Sequence, residues 1–193
     1  DKLQLVEIHR WQDGHYTFSN TLALSEKEGW VADTKGLREK AYIYHSIGRG
    51  LAGLWIQENL PVAHVQGADM FVSALPEAFG LQFVENVIGE KAVQAIIDKK
   101  TDIYSKDKNN EPNSEPALLY ADGIDYLEEN QGAIALYKLM EALGTKNFNK
   151  LLIDIIHTNP EKLTEFMDFY QLALKEVPET EKQEIRQLFE TVP

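Results

Sequence analysis

The hydrophobic pattern changes character at about residue 36, and this change limits the possible fold more than any other feature. Residues 1–33 are rich in β-branched and aromatic side chains, in segments such as LQLVEIHRW and HYTFSNTLAL, which favours strands. From Gly36 onward, apolar residues recur with a period of about 3.6, which is typical of amphipathic helices. The sequence therefore predicts a mainly α protein of the α+β class, with a short N-terminal β element followed by a helical body.

Turn and loop signals divide this pattern further. The QDG triplet at 12–14 is a turn signal between the two β-type segments, and we expect these segments to form a hairpin or a sheet edge. Residues 105–116, SKDKNNEPNSEP, are polar, contain two prolines and show no periodicity, which predicts a loop. We expect a single domain over 1–193, with a β element at 1–33, helices at 36–104, a loop at 105–116 and C-terminal helices at 117–193.

Composition excludes several classes of function. The chain has 193 residues, with 19 Lys and Arg against 31 Asp and Glu and a net charge of −12. Binding to phosphate backbones needs a basic face, so nucleic acid is not an expected partner. Cysteine is absent, which excludes disulfides, thiolate catalysis and sulfur-bound zinc. No segment approaches the roughly 18 consecutive apolar residues of a membrane span, so we expect no direct membrane insertion.

The segment GRGLAG matches the G-x-G-x-x-G pattern of dinucleotide-binding loops. That pattern works only inside a βαβ unit, whereas here one helical stretch follows another. We interpret Gly48, Gly50 and Gly53 as glycines within a helix that allow a neighbouring element to approach closely.

No metal site or catalytic constellation emerges from the titratable residues alone. The five histidines form no H-x-H, H-x-x-x-H or H-E-x-x-H pattern; they are His9, His15, His45, His64 and His157. A zinc site needs at least about three converging ligands. The acidic run DYLEEN at 125–130 is interpreted as a solvated first helical turn that complements the helix dipole, rather than as a pair of catalytic carboxylates.

Three stretches resemble, in the same order, the zinc-binding half of the aminopeptidase N family. They are SEKEGW at 25–30, VQGADM at 65–70 and ENQGAIALYKLMEALG at 129–144. Members of this family are gluzincins with a thermolysin-like catalytic domain, and the resemblance is strongest to the peptidase-like domains of bacterial ABC-type permease proteins. Most of 5–175 is covered, which implies that the chain is a fragment of a thermolysin-like, gluzincin catalytic domain.

The resemblance assigns the family's zinc-binding motif to residues that lack its chemistry. Aligned without a gap between Trp55 and VQGADM, the two histidine ligands correspond to Arg49 and Gly53, and the catalytic glutamate corresponds to Gly50. The motif HExxH thus reads RGLAG. Glycine offers no donor atom, and a guanidinium is permanently protonated and repels a dication.

The same alignment places two further family residues. The glutamate ligand corresponds to Ser73, and the tyrosine that stabilises the transition state corresponds to Glu129. A second register sets His45–Arg49 against HExxH, but it requires an insertion and retains one ligand only. Both registers imply a catalytically inactive peptidase-like domain with no metal and no other cofactor.

The resemblance also implies a role and a location. We expect a binding or assembly module of a larger, membrane-bound protein, on the extracytoplasmic side. A residual groove near Glu26, His45, Glu77 and Glu129 would hold a peptide; the other interpretation is that the domain packs only against the rest of its parent protein. If the helices that carry them run antiparallel, His45 approaches Glu77, and Arg49 pairs with Glu77 or Glu26. The alternative is a hydrolase or peptidase with a rebuilt, non-zinc site formed by His45, Glu77 and Glu129.

Overall fold

The computed structural model describes residues 2–9, 15–18, 20–26, 33–111, 114–158 and 163–193. Three strands come first and helices follow, which confirms a mainly α fold with a short N-terminal β element. None of the helices in these ranges is long and apolar enough to cross a membrane. The chain divides into two compact units, one formed by 1–58 with 76–99 and the other by 59–75 with 100–193. A single domain over 1–193 stays a prediction.

The first unit contains a three-stranded sheet in the order β1-β3-β2. Its strands are β1, Gln4–Ile8; β2, His15–Phe18; and β3, Thr21–Ser25. β3 pairs parallel with β1 and antiparallel with β2. β3 is thus the central strand. It buries Leu22 and Leu24, whereas most of β1 is exposed.

Of the two arrangements expected for the first two β-type segments, the hairpin is wrong, whereas β1 does lie at an edge of the sheet. The hairpin joins β2 to β3, and β1 reaches β3 through a parallel pairing. The reversal occurs around Asn20, which lies inside a segment that the sequence pattern treats as one strand. Its side-chain amide donates to the Lys2 carbonyl at 2.9 Å, and asparagine is a favoured turn residue. The QDG triplet at 12–14 lies outside the described residues.

Long helices follow the sheet. They are α1, Leu37–Asn59; α2, Leu75–Val87, preceded by a π-helical turn at Met70–Ala74; and α3, Glu90–Asn110. A Cβ atom at Gly48 would lie 2.7 Å from Phe83 Cβ, and one at Gly50 would lie 2.3 Å from Leu22 Cδ1. These two glycines thus let α2 and β3 approach α1, and the interpretation of the glycine motif as a packing feature is confirmed at both positions.

The expected loop at 105–116 is wrong for its first half, because α3 continues to Asn110. Polar side chains in this stretch bond back to carbonyl groups of the preceding turn. Ser105 donates to Thr101 at 2.8 Å, Asn109 to Ser105 at 2.7 Å and Asn110 to Lys106 at 3.0 Å. The two prolines fall at 112 and 116, beyond the last helical residue, so they do not interrupt the helix.

The second unit contains the π-helical turn at Met70–Ala74, the part of α3 from residue 100 onward and the remaining helical segments. These remaining segments are a 3₁₀ turn at Leu118–Tyr120; a π-helical segment at Leu127–Gly132; α4, Ala133–Leu143; α5, Thr145–Thr158; α6, Phe166–Glu176; and α7, Glu179–Glu190. Buried phenylalanines form its core, with ring centroids 5.2 Å apart for Phe71 and Phe166 and 5.4 Å apart for Phe148 and Phe169. The expected C-terminal helices at 117–193 are confirmed.

Candidate functional site

Three charged or titratable side chains meet in the first unit, between α1 and α2. His45 and Arg49 are four residues apart on α1, and this spacing places both on the same helix face. Glu77 lies in the first turn of α2. His45 Nε2 is 3.3 Å from Glu77 Oε2, and Arg49 Nη1 forms an ion pair with Glu77 Oε1. Each carboxylate oxygen thus has its own partner.

Burial makes this ion pair energetically important. The Glu77 side chain is 2% exposed, His45 is 10% exposed and Arg49 is 30% exposed. An ionised carboxylate is costly to bury unless a cation and hydrogen bonds compensate for the water that it loses. Arg49 supplies this compensation, since a guanidinium stays protonated at any ordinary pH.

The position of the His45 ring determines which nitrogen carries a hydrogen. Nε2 is 3.2 Å from the main-chain carbonyl oxygen of Glu77 as well as 3.3 Å from its carboxylate. Both of these atoms accept hydrogen bonds, so the geometry requires a hydrogen on Nε2. The nitrogen that faces Glu77 is therefore a donor and does not act as a base.

Gly80 makes room for this arrangement. It lies one helical turn beyond Glu77, and a Cβ atom at this position would be 2.8 Å from Cδ2 of the His45 ring. Contacts this short do not occur between packed carbon atoms, so a larger residue would displace the ring. Sequence reasoning missed Gly80; the available signal was its spacing of three residues from Glu77 within a predicted helix.

The positions that the resemblance assigns to the zinc motif have different environments. Arg49 is in the ion pair, and the space beside buried Gly50 is filled by Leu22. Beside Gly53, no atom of the described residues other than its own helix backbone and chain neighbours lies within 4 Å of the place that a Cβ atom would take, so the close approach expected at this glycine is not seen among those residues. Ser73 lies in the π-helical turn at Met70–Ala74 and is partly exposed.

The structure brings together two of the four residues expected in a residual groove, His45 and Glu77. Glu26 immediately follows β3 and is partly exposed. Glu129 belongs to the second unit, where its main-chain carbonyl accepts a hydrogen bond from Lys100 Nζ at 2.8 Å. Residues 27–30, which complete the SEKEGW stretch, lie outside the described residues.

Sequence reasoning missed a second buried carboxylate, Glu115. Its oxygens accept hydrogen bonds from the hydroxyls of Tyr104 at 2.7 Å and Tyr126 at 2.8 Å, and Lys108 Nζ is 2.8 Å away. Burial raises the pKa of Glu115, but hydrogen bonds from Lys108, Tyr104 and Tyr126 outweigh it and hold this pKa below its ordinary value. Burial, together with the bond to Glu115, raises the pKa of Tyr126 to about 12. At neutral pH Glu115 is therefore ionised and Tyr126 keeps its hydroxyl hydrogen. Neither group changes its charge in this range, which indicates a structural role.

An open cavity of about 480 Å³ lies beside this cluster in the second unit. Its lining is acidic and includes Asp107, Glu111, Glu115 and Asp125. Within the part of the chain that the structure describes, no three His, Cys, Asp or Glu residues are arranged to hold a metal ion.

Comparison with known proteins adds a relationship at the level of the fold. No family model and no curated protein matches the chain. Among solved structures, a mutant M1 zinc metallopeptidase from Deinococcus radiodurans bound to the substrate Tyr-Ser-Ala matches with a TM-score of 0.62 and 16% identity. A mutant two-domain M1 zinc metallopeptidase bound to L-tryptophan matches with a TM-score of 0.62 and 15% identity.

Each match covers 99% of this chain and 40% of the other protein, so the chain spans about two fifths of the length of these enzymes. At such low identity the comparison establishes the fold alone. The chain is similar in fold to the M1 zinc metallopeptidases, the gluzincin family of aminopeptidase N.

Proposed function

We propose that this chain is a catalytically inactive, M1-like peptidase module that binds or assembles within a larger protein. The observation that carries the proposal is the ion pair between Arg49 and Glu77. In the gap-free register, Arg49 occupies the position of the first zinc-binding histidine. A permanent cation at this position is paired with a buried carboxylate, which is the opposite of what a site for a dication requires.

The donor atoms in this part of α1 and α2 do not fit zinc. A catalytic zinc needs about three nitrogen or oxygen ligands and an open position for water. Gly50 and Gly53 supply no side-chain donor, and both oxygens of Glu77 are engaged by Arg49 and His45. Without a metal, water is not acidified and a peptide carbonyl is not polarised, so we derive no hydrolytic step for these residues.

Hydrophobic packing supports the same proposal at the position assigned to the catalytic glutamate. A side chain at residue 50 would begin 2.3 Å from Leu22 Cδ1, and Leu22 is fully buried. The space that a catalytic base would need is therefore occupied by the core beneath α1.

The alternative, a hydrolase with a rebuilt site, would use the same His45 and Glu77 together with Glu129. In such a site the nitrogen of His45 that faces Glu77 would keep its hydrogen, and the other ring nitrogen, Nδ1, would have to take up the proton. The alternative also needs a carboxylate available to act as a base, whereas Glu77 is held in an ion pair by Arg49. The geometry of the first unit therefore favours the inactive module.

The partner that we propose is a peptide or the rest of a larger parent protein. The resemblance to permease-associated domains implies that this parent is membrane-bound and that the module lies on its extracytoplasmic side. A suitable first peptide is Tyr-Ser-Ala, which is bound in one of the structurally similar enzymes.

A combined binding and hydrolysis experiment tests the proposal. The purified chain is titrated with Tyr-Ser-Ala by calorimetry, and the same mixture, with and without added zinc, is analysed for released tyrosine. We expect no hydrolysis in either case, and binding of the intact peptide would identify the module as a peptide-binding one. Release of tyrosine that does not depend on zinc and is lost in both His45→Ala and Glu77→Gln would support the rebuilt hydrolase instead.

A further inference from the structure

Two carboxylates bind consecutive main-chain amides in the second unit. The amide of Gly123 donates to Asp69 Oδ2 at 2.8 Å, and the amide of Ile124 donates to Glu128 Oε1 at 3.0 Å. Both amides belong to the loop at 121–124, which joins the 3₁₀ turn to the π-helical segment. Gly123 has a positive φ of 70°, so its amide and the next one are presented in a turn that glycine adopts without strain.

Glu128 is fully buried, and its second oxygen, Oε2, makes no hydrogen bond to any part of the chain that the structure describes. A buried carboxylate with an unsatisfied oxygen costs several kcal/mol when it is ionised, and much less when it is neutral. The location of this side chain therefore favours its protonated form.

Burial and neighbouring negative charges both raise the pKa of Glu128. Burial is the main cause that raises the pKa of Glu128 to about 7; the hydrogen bond from Ile124 lowers it, and the negative charges of Asp69, Asp125 and Asp122 raise it further. An ordinary glutamate is fully ionised at this pH. The Glu128 carboxyl thus changes its charge near neutrality, while it touches the loop at 121–124.

We propose that Glu128 is a pH-sensitive latch for the loop at 121–124. The neutral carboxyl accepts the Ile124 hydrogen bond and holds the loop on the helical segment. The ionised carboxylate accepts this hydrogen bond more strongly, but it also places a charge with an unsatisfied oxygen in a buried position near the partly exposed Asp69. Ionisation therefore favours a loosened loop in which the Glu128 carboxylate reaches water.

The latch has a consequence for the cavity in the same unit. Gly123 and Ile124 line the cavity, next to Tyr126 and Glu115. A change in the loop therefore changes one wall of the cavity, while the opposite charges at Lys108 and Glu115 keep their protonation over the same range of pH. The shape of this acidic cavity is then a function of pH around neutrality.

Titration of the wild-type chain tests the latch without any substitution. The side-chain carboxyl carbon of Glu128 is followed by NMR from pH 4 to 9, together with the amide hydrogen-exchange protection factors of Gly123 and Ile124. We expect a titration midpoint near 7 and at least a tenfold loss of protection between pH 6 and pH 8, with no such loss for the amides of α4. A midpoint near 4.5, or protection that does not change with pH, would overturn the proposal.

A substitution with a matched control separates the latch from general effects of pH. Glu128→Gln imitates the neutral carboxyl, so protection at Gly123 and Ile124 should become independent of pH. Glu184→Gln makes the same chemical change at an exposed position of α7 and should retain the wild-type response. A Glu128→Gln chain with the wild-type response would contradict the latch; if this variant does not fold, the titration of the wild type decides.

Discussion

Arg49 and Glu77 form an ion pair in which the carboxylate is almost completely buried and the guanidinium is partly exposed. The pair joins α1 to α2 in the first unit, with His45 at the second carboxylate oxygen. The position of this pair matters because, in the resemblance to the aminopeptidase N family, Arg49 corresponds to a histidine that binds zinc. The physical properties of this pair lead to the first prediction.

Replacing Arg49 by methionine should destabilise the chain by about 3 kcal/mol, because it leaves Glu77 as a buried carboxylate without its cation. The same replacement in a Glu77→Gln background should cost only about 1 kcal/mol, since there is no charge left to compensate. Urea unfolding of the four chains of this double-mutant cycle measures the difference.

Arg38→Met is the matched control for this cycle. Arg38 is exposed on the same helix, so its loss should change the free energy of unfolding by less than about 1 kcal/mol. If Arg49→Met lowers the free energy of unfolding by the same amount in the wild-type and Glu77→Gln backgrounds, the ion pair is not the stabilising interaction.

Alanine at Gly80 should destabilise the chain by about 1–3 kcal/mol, because its Cβ atom would displace the His45 ring. Alanine at Gly53 is the control, since this glycine is also helical but has open space beside it. There the gain in helix propensity should stabilise the chain by about 0.5–1 kcal/mol. Thermal unfolding gives both values, and equal stabilities for the two variants would rule out the steric role of Gly80.

Gly50→Ala should be destabilising by about 1–3 kcal/mol because Leu22 occupies the space that the new methyl group needs. Leu22→Ala alone should cost about 2–5 kcal/mol, as expected for a buried leucine. In the double variant the two changes compensate each other, so its loss of stability should be smaller than the sum of the single losses. Additive losses in chemical unfolding would mean that residues 50 and 22 do not compete for this space.

Glu115→Gln should remove part of the acid sensitivity of the chain. The folded pKa of Glu115 lies below its unfolded value, so its contribution to stability is fully present above about pH 4.5 and is lost as the pH falls through the lower, folded value. The variant should be less stable by about 1 kcal/mol at pH 7, because Glu115 loses its ion pair with the partly exposed Lys108, and its stability should fall less steeply below pH 4.5. Unfolding free energies measured from pH 3 to 7 test this, and parallel curves for the two chains would contradict it.

Local sequence patterns were sufficient for the helical body, because the 3.6-residue period and the helix-breaking prolines act within single segments. They were not sufficient for the strand order, since the parallel pairing of β1 with β3 depends on residues that are distant in sequence. They also misjudged 105–110, where the polar side chains that suggested a loop bond back to the helix. A polar composition is compatible with both structures, and only the contacts distinguish them.

The part of the candidate site that helix geometry determines could be predicted from the sequence. The spacing of His45 and Arg49 places both on one face of α1. An antiparallel arrangement of the two helices predicted Glu77 as the partner of His45, but it left Glu77 and Glu26 open as partners of Arg49. Gly80 was missed because its role depends on the approach of the His45 ring. The buried carboxylates Glu115 and Glu128 were missed because their burial comes from the packing of several segments.

Zinc binding by the purified chain distinguishes an inactive module from a metal-dependent peptidase. The metal content is measured after purification in the presence of zinc, and zinc is then titrated into the metal-free chain by calorimetry, with Arg49→His as a second sample. We expect no stoichiometric zinc in the wild type, because Arg49, Gly50 and Gly53 supply no ligand and Glu77 is engaged in the ion pair. One tightly bound zinc per wild-type chain, lost on substitution of His45 or Glu77, would contradict this expectation and show that these residues form a metal site.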